Sequence, residues 1–273
     1  MSLIPAFFMD SVVSIGIDVT VDNKCVRHCI GTGFLLAKMI DKDKGYIFLI
    51  TNRHVFGENK RIFVRFNSER NPTTKDFHID LYSPEGKKLF SEHQDPKIDI
   101  VSVKIDTNIL INQKFKFGSY RINENTLSLA EMNKNGLGEG SLIYVLGFPM
   151  NLVDIAINSP ICRLGCISRI RDAYASASAN SYIIDSQIFP GNSGGPVINR
   201  LELTTLQGTA NITTTNLIGI VHSYIPYQDS LQSVQTGRIV STTQENSGLA
   251  LVHPVDRILE TVNEELKRVG IVS

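Results

Sequence analysis

Ser193 lies in Pro190-Gly191-Asn192-Ser193-Gly194-Gly195-Pro196, a turn in which glycines flank a hydroxyl. Glycine adopts backbone angles that a Cβ forbids, so this turn can expose a nucleophile together with bare amides. The amides of Gly191 and Ser193 can then face one oxygen, which is how an oxyanion hole is built. A serine hydroxyl is a weak nucleophile near neutral pH and requires a base within reach and an acid that orients the base. Two upstream segments offer these groups. In Ile47-Phe48-Leu49-Ile50-Thr51-Asn52-Arg53-His54-Val55 a β-prone apolar run ends just before His54, and in Lys97-Ile98-Asp99-Ile100-Val101 the acid leads into a second such run. Taken singly, His54 reads as an ordinary strand-end histidine and Asp99 as a turn residue. In the order His54, Asp99, Ser193 they form a candidate triad for acyl transfer: base, orienting acid and nucleophile, with no metal and no cofactor required.

The rival reading is the nucleophile elbow of α/β-hydrolases, which Gly191-x-Ser193-x-Gly195 also satisfies. That fold orders its triad serine, acid, histidine, and Asp229 and His253 could be nominated. The elbow must turn into a helix, whereas Pro196-Val197-Ile198 reads as another extended run, so an esterase of that fold is disfavoured.

Further segments resemble those of chymotrypsin-fold serine proteases, closest to the bacterial HtrA/Deg-type protease domains. The resemblance covers most of the chain. It rests on Gly31-Thr32-Gly33-Phe34, Thr51-Asn52-Arg53-His54-Val55, Asp99-Ile100-Val101, Gly147-Phe148-Pro149 and the serine turn. Leu217-Ile218-Gly219-Ile220-Val221 and Gly248-Leu249-Ala250-Leu251-Val252-His253-Pro254 extend it. It implies a catalytic triad of His54, Asp99 and Ser193, with the oxyanion hole at the Gly191 and Ser193 amides. It also implies a specificity pocket framed by Gln187, Ile188 and Phe189 before the turn and by Ser223 and Tyr224 beyond it. None of these is charged, which disfavours Lys or Arg and favours an apolar or small substrate side chain. The run Val221-His222-Ser223-Tyr224 is expected to pair with an extended peptide through main-chain bonds. His222 stands where many relatives have a serine near the acid; it either hydrogen-bonds Asp99 or is a partly buried strand histidine, the second reading being preferred. Asn192 replaces the aspartate of zymogen-activated relatives, which argues against activation through a freed N-terminus. The expected partners are a polypeptide substrate and an activating protein or a second copy of the chain. The alternative is a catalytically silent binding or regulatory module on the same fold.

The elements that must position these groups read as short strands punctuated by Gly, Asn, Asp and Pro. The expected class is all-β: two antiparallel six-stranded barrels and a C-terminal helix. Residues 1–125 would carry His54 and Asp99, residues 126–252 would carry Ser193, and residues 253–273 would form the helix. In that tail Val255, Ile258, Leu259, Val262, Leu266 and Val269 recur at helical spacing, Pro254 suits a first turn and Gly270 can end the element. Its apolar stripe is expected to pack on the second barrel. The stretches 171–181, 201–216 and 226–247 read as long polar loops that either order the oxyanion turn or are passive insertions.

With 273 residues, 42% of them hydrophobic, and 27 basic against 27 acidic side chains, the chain has a sizeable core and no charge bias toward nucleic acid. The start lacks a basic leader and a long apolar run, and no stretch reaches the length of a membrane span, so a cytoplasmic location is expected. The PDZ module that often follows HtrA-type protease domains is expected to be absent after Ser273. Cys25, Cys29, Cys162 and Cys166 form two C-x3-C pairs. Along a strand, partners four residues apart are separated by roughly 13 Å, too far for a disulfide or one zinc, so free buried thiols are expected.

Overall fold

The computed structural model describes residues 4–271 except 42, 43, 155, 177, 204, 205, 207 and 210. The first half contains β1 (Val12–Val21), β2 (Lys24–Met39), β3 (Gly45–Thr51), β4 (Arg61–Ser68), β5 (Thr74–Asp80), β6 (Ser91–Glu92), β7 (Val101–Ile105), β8 (Phe115–Lys116) and β9 (Tyr120–Arg121). Its longer strands follow the order β5-β4-β1-β2-β3-β7, and the two-residue strands β6, β8 and β9 add to β7, β4 and β2. The second half contains β10 (Leu142–Gly147), β11 (Ile161–Arg169), β12 (Tyr182–Asp185), β13 (Pro196–Asn199), β14 (Leu217–Gln232) and β15 (Ile239–Pro254). These close into a six-stranded barrel in the order β10-β11-β12-β15-β14-β13. The all-β class with a C-terminal helix is therefore the observed one.

Period-two alternation explains why the strands beside the site are apolar at consecutive positions. On β2 and β3, Leu35, Ala37, Ile47 and Leu49 face the core of the first half. Their neighbours Phe34, Leu36, Phe48 and Ile50 face a second apolar layer between the halves, where they meet Leu146, Ile198, Leu217 and Ile220. Both faces are buried, so neither can be polar. A third cluster, with Ile143, Val145, Ile167, Ile184, Val197 and Val221, fills the closed barrel.

Among the described residues six α-helices flank the sheets: α1 (Ala6–Asp10), α2 (Arg53–Phe56), α3 (Thr107–Asn112), α4 (Leu129–Lys134), α5 (Arg171–Tyr174) and α6 (Val255–Arg268). Within the polar bridge between the halves, α4 is started by a capping box in which Ser128 and Glu131 satisfy each other's amides. The tail helix α6 ends at Arg268, with Val269 as its C-cap and Gly270 left-handed at φ +73°. Its stripe corrects one expectation. Val255, Ile258, Val262 and Leu266 enter the layer between the halves and so touch residues of both, instead of covering the second barrel alone. Glu265 on the same helix is fully buried and reaches the first half, accepting hydrogen bonds from the Ser91 hydroxyl at 2.8 Å and the Lys104 amide at 2.8 Å. No described helix is long and apolar enough to cross a membrane.

The stretch 226–247 is a β-ribbon and not a loop: β14 and β15 pair out to Gln232 opposite Ile239. Its residues, among them Tyr227, Leu231, Ile239 and Val240, are exposed, so the buried-face alternation that signals a strand is missing. The first half has a similar ribbon, β1 with β2, closed by Asp22 and Asn23 at φ 49° and 59°. Two consecutive left-handed residues make the mirror-image turn that matches strand twist. Of the other two expected loops, 171–181 contains α5 and only part of 201–216 lies among the described residues.

Candidate active site

His54 sits on α2, directly after β3. Its turn is entered through Asn52, whose side-chain amide does not cap the helix but donates to the Asp99 carbonyl at 2.7 Å. The Asp99 carboxylate meets His54 twice: Oδ2 contacts Nδ1 of the ring, and Oδ1 accepts the His54 backbone N–H at 3.1 Å. With Nδ1 donating to the carboxylate, the Nε2 lone pair is free to take a proton.

Asp99 is held on every side and is only 7% exposed. Its backbone N–H donates to Nε2 of His253 at 3.2 Å, and Nδ1 of His222 lies 3.5 Å from Oδ2, short of a hydrogen bond. Burial opposes ionisation of this carboxyl, but the facing His222 and His54 rings and the His54 amide outweigh it. They hold Asp99 well below the usual carboxylate range. His222 is thus a partly buried strand histidine whose ring approaches the acid without hydrogen-bonding it.

The serine turn docks against the first half through β2. The Thr32 amide donates to the Ser193 carbonyl at 3.0 Å, and the Thr32 hydroxyl donates to the Gly191 carbonyl at 2.6 Å. Thr51, three residues before His54, donates its hydroxyl to the Thr32 carbonyl at 2.7 Å. A Cβ on Gly31 would meet the Val55 methyls at 2.7 and 2.8 Å and the Ser193 carbonyl at 3.4 Å, so the serine turn and α2 lie against the same point of β2. After Gly195 the chain enters strand β13, which removes the nucleophile-elbow reading. Asp229, nominated for that reading, lies far out on the ribbon, opposite Thr243.

The orientation of the two amides follows from where their partner carbonyls go. The Pro190 carbonyl accepts the Met150 N–H at 2.6 Å, and the Asn192 carbonyl accepts the Gly195 N–H at 2.8 Å. In a trans peptide the N–H points away from the carbonyl, so the Gly191 amide points away from Met150 and the Ser193 amide away from Gly195. Neither donates to another group among the described residues. Gly191 reaches this geometry at φ +97°, and a Cβ there would meet the Phe148 carbonyl at 2.2 Å. Gly191→Ala is therefore expected to lower turnover by at least about a hundredfold, measured as kcat on a peptide substrate.

The pocket-framing residues are distributed unevenly. Gln187 and Tyr224 are exposed, and Phe189, His222 and Ser223 are half-buried. Ile188 departs from the expectation: its side chain is buried in the barrel core, so only its backbone can frame a pocket. Asn246, not foreseen, donates to the Ile188 carbonyl at 2.5 Å and accepts the Gly248 N–H at 2.9 Å, tying β15 to the wall before the serine. Arg163 places its guanidinium 5.0 Å from the centre of the Phe189 ring. All four cysteines are free, but Cys25 and Cys162 are exposed and Cys29 and Cys166 half-buried, unlike the buried thiols expected. Each cysteine pair faces a different neighbouring strand, and no cluster able to hold a metal occurs among the described residues.

His253, quoted in a motif but assigned no role in the protease reading, is 2% exposed, and its Nδ1 donates to the Asn180 carbonyl at 2.6 Å. Burial pushes its pKa down from 6.5 to about 4. The imidazole therefore protonates more readily in the unfolded chain. Its stability contribution is complete above pH 6.5 and is lost as pH falls toward 4. The loss amounts to roughly 3 kcal/mol, readable as a lower urea midpoint at pH 4.5 than at pH 7. Asp99 acts in the same direction at still lower pH, because its folded carboxyl gives up stability only when protonated.

Residues 31–202 match the model of the trypsin-like peptidase domain, a span that contains His54, Asp99 and Ser193. The chain belongs to the trypsin-like peptidase family. A "Serine protease HtrA-like" protein of Staphylococcus haemolyticus is 26% identical over 159 residues, which cover 56% of this chain and 20% of that protein. The chain thus aligns with about a fifth of that relative's length. Among solved structures, the HtrA-type protease AlgW with a decapeptide superposes with a TM-score of 0.51 at 16% identity, covering 98% of this chain and 68% of AlgW. At that identity the likeness is one of fold.

Proposed function

We propose that the protein is a serine endopeptidase that cleaves polypeptides through an acyl-enzyme. Ser193 Oγ attacks the peptide carbonyl as His54 Nε2 takes its proton, and Asp99 holds the imidazole in the useful tautomer and stabilises its cation. The tetrahedral oxygen is received by the Gly191 and Ser193 amides. His54 then returns the proton to the leaving amine, and water repeats the sequence on the ester. The observation that carries this reading is the Asp99–His54 contact on Nδ1, which leaves Nε2 as the base beside a serine turn whose Gly191 and Ser193 amides donate to no other group among the described residues.

The substrate reading follows from an open strand edge. β14 is paired with β13 and the serine turn as far as Val221, which exchanges hydrogen bonds with Gly194 and Gly195 at 3.2 and 2.9 Å. Past that point His222 sits at a bulge, and Ser223 and Tyr224 pair among the described residues with β15 on the other side, so an extended peptide can add there. Arg163 over Phe189 puts positive charge behind the pocket wall, which disfavours Lys and Arg side chains. Main-chain pairing gives little sequence choice, so a restricted target or an activating partner supplies the selectivity.

The test is hydrolysis of a peptide panel varied at the residue before the scissile bond. Small and apolar residues are expected to give kcat/KM at least about tenfold above Lys or Arg. Equal hydrolysis by wild type and Ser193→Ala would sink the assignment, and a preference for Lys or Arg would sink the pocket reading. Mapping new protein N-termini in a proteome then separates a narrow target from indiscriminate cleavage.

A further inference from the structure

We propose that His253 is a positioning residue of the triad: as a neutral imidazole protonated on Nδ1, it accepts the Asp99 N–H on Nε2 and thereby sets the Asp99 carboxylate beneath His54. The inference rests on the endopeptidase reading. It names a group that touches neither substrate nor the reacting atoms.

Asp99 lies in the connection between β6 and β7, so its carboxylate is only as well placed as its backbone. Two bonds fix that backbone. Asn52 holds the carbonyl at 2.7 Å, and His253 receives the N–H at 3.2 Å. Both Asp99 and His253 are buried, so water does not replace a lost bond, and an orphaned amide is costly there. The bond also joins the two halves, because His253 belongs to β15 of the closed barrel and Asp99 to a connection of the first half.

The Asn180 carbonyl decides the tautomer. Accepting at 2.6 Å, it keeps the proton on Nδ1 and leaves the Nε2 lone pair for Asp99. Protonation would set an Nε2–H against the Asp99 N–H, donor facing donor. Charged and titratable groups approach His253 from several elements. The His222 ring of β14 stacks on it at 4.5 Å, and the Asp99 carboxylate and His93 face it from the first half. From α6, Arg257 donates to the Ala179 carbonyl at 3.2 Å, beside the carbonyl that fixes the tautomer. Arg257 is itself tied to Glu260, which meets His93 at 2.7 Å.

The experiment compares wild type, His253→Leu and His253→Gln. Leucine fills the space without an acceptor, whereas the glutamine amide oxygen reaches the position of Nε2. For folded His253→Leu, kcat is expected to fall roughly tenfold or more with KM within about twofold, because a small misplacement of a triad member acts on the transition state and not on ground-state binding. His253→Gln should recover most of that loss. A folded His253→Leu with wild-type kcat overturns the proposal, as does a parallel loss in the glutamine variant. A second measurement does not depend on turnover or on a variant folding: nitrogen NMR of 15N-histidine-labelled wild type at pH 7. The proposal expects His253 protonated on Nδ1 only, and finding the proton on Nε2 overturns it. Should wild type fail to hydrolyse any peptide, the endopeptidase reading falls, while the position of the His54 Nδ1 proton resonance in wild type and His253→Leu still reports on Asp99. An unchanged resonance in the leucine variant then refutes the positioning role.

Discussion

Asp99→Asn is expected to lower kcat by roughly four orders of magnitude while the protein remains folded. The reason lies in the donors that surround this residue. Oδ2 receives His54 Nδ1 and Oδ1 receives the His54 amide, so the site is built for an acceptor with two oxygens. An asparagine must present an NH2 to one of these positions. Set against the ring, it drives the proton from Nδ1 to Nε2, and the imidazole can no longer take the proton of Ser193. The backbone of residue 99 keeps its bonds to Asn52 and His253, so the geometry survives while the tautomer is wrong. Single-turnover acylation against pH checks this: activity should return in part at high pH, where the base can be reached by deprotonation. A variant within tenfold of wild type at neutral pH would mean that Asp99 does not set the tautomer.

Glu265→Ala has the largest expected effect on stability. The side chain is fully buried and bonds Arg268 through both oxygens at 2.7 Å, along with the Ser91 hydroxyl and the Lys104 amide. Removing it leaves the Arg268 guanidinium, the buried Ser91 hydroxyl and the Lys104 amide without their acceptor. Breaking a buried pair in this way costs about 3–5 kcal/mol. In a domain of this size that corresponds to a fall in Tm of roughly 10 °C. Because α6 is seated between the two halves and meets the first through Glu265, the loss should also appear as reduced cooperativity of unfolding. An unchanged Tm would show that the helix is held by its apolar stripe alone.

What could be read from the sequence was what has a local signature. Ser193 announces itself by its glycines, His54 and Asp99 by their places at the ends of apolar runs, and α6 by its spacing. Those runs were legible because both faces of β2 and β3 are buried, which leaves Phe34 to Ala37 and Ile47 to Ile50 without polar interruption. The 226–247 ribbon was not, since with both faces exposed no alternation marks it. Glu265 and His253 were also hidden. An acid on a helix and a histidine before a proline look like surface residues until the partners that satisfy them, Ser91 and Lys104 or Asp99 and Asn180, arrive from far away in the chain. Asn246 is of the same kind: its role is a bond to the Ile188 carbonyl, 58 residues away in the chain. Such contacts leave no mark at the level of spacing.

The central claim, a serine made nucleophilic by His54 and Asp99, is tested most directly by covalent labelling with a fluorophosphonate followed by intact mass and peptide mapping. The protein should gain one adduct, on Ser193, at a rate that collapses in His54→Ala and is absent in Ser193→Ala. An unlabelled wild type, or an adduct formed equally fast without His54, would contradict it.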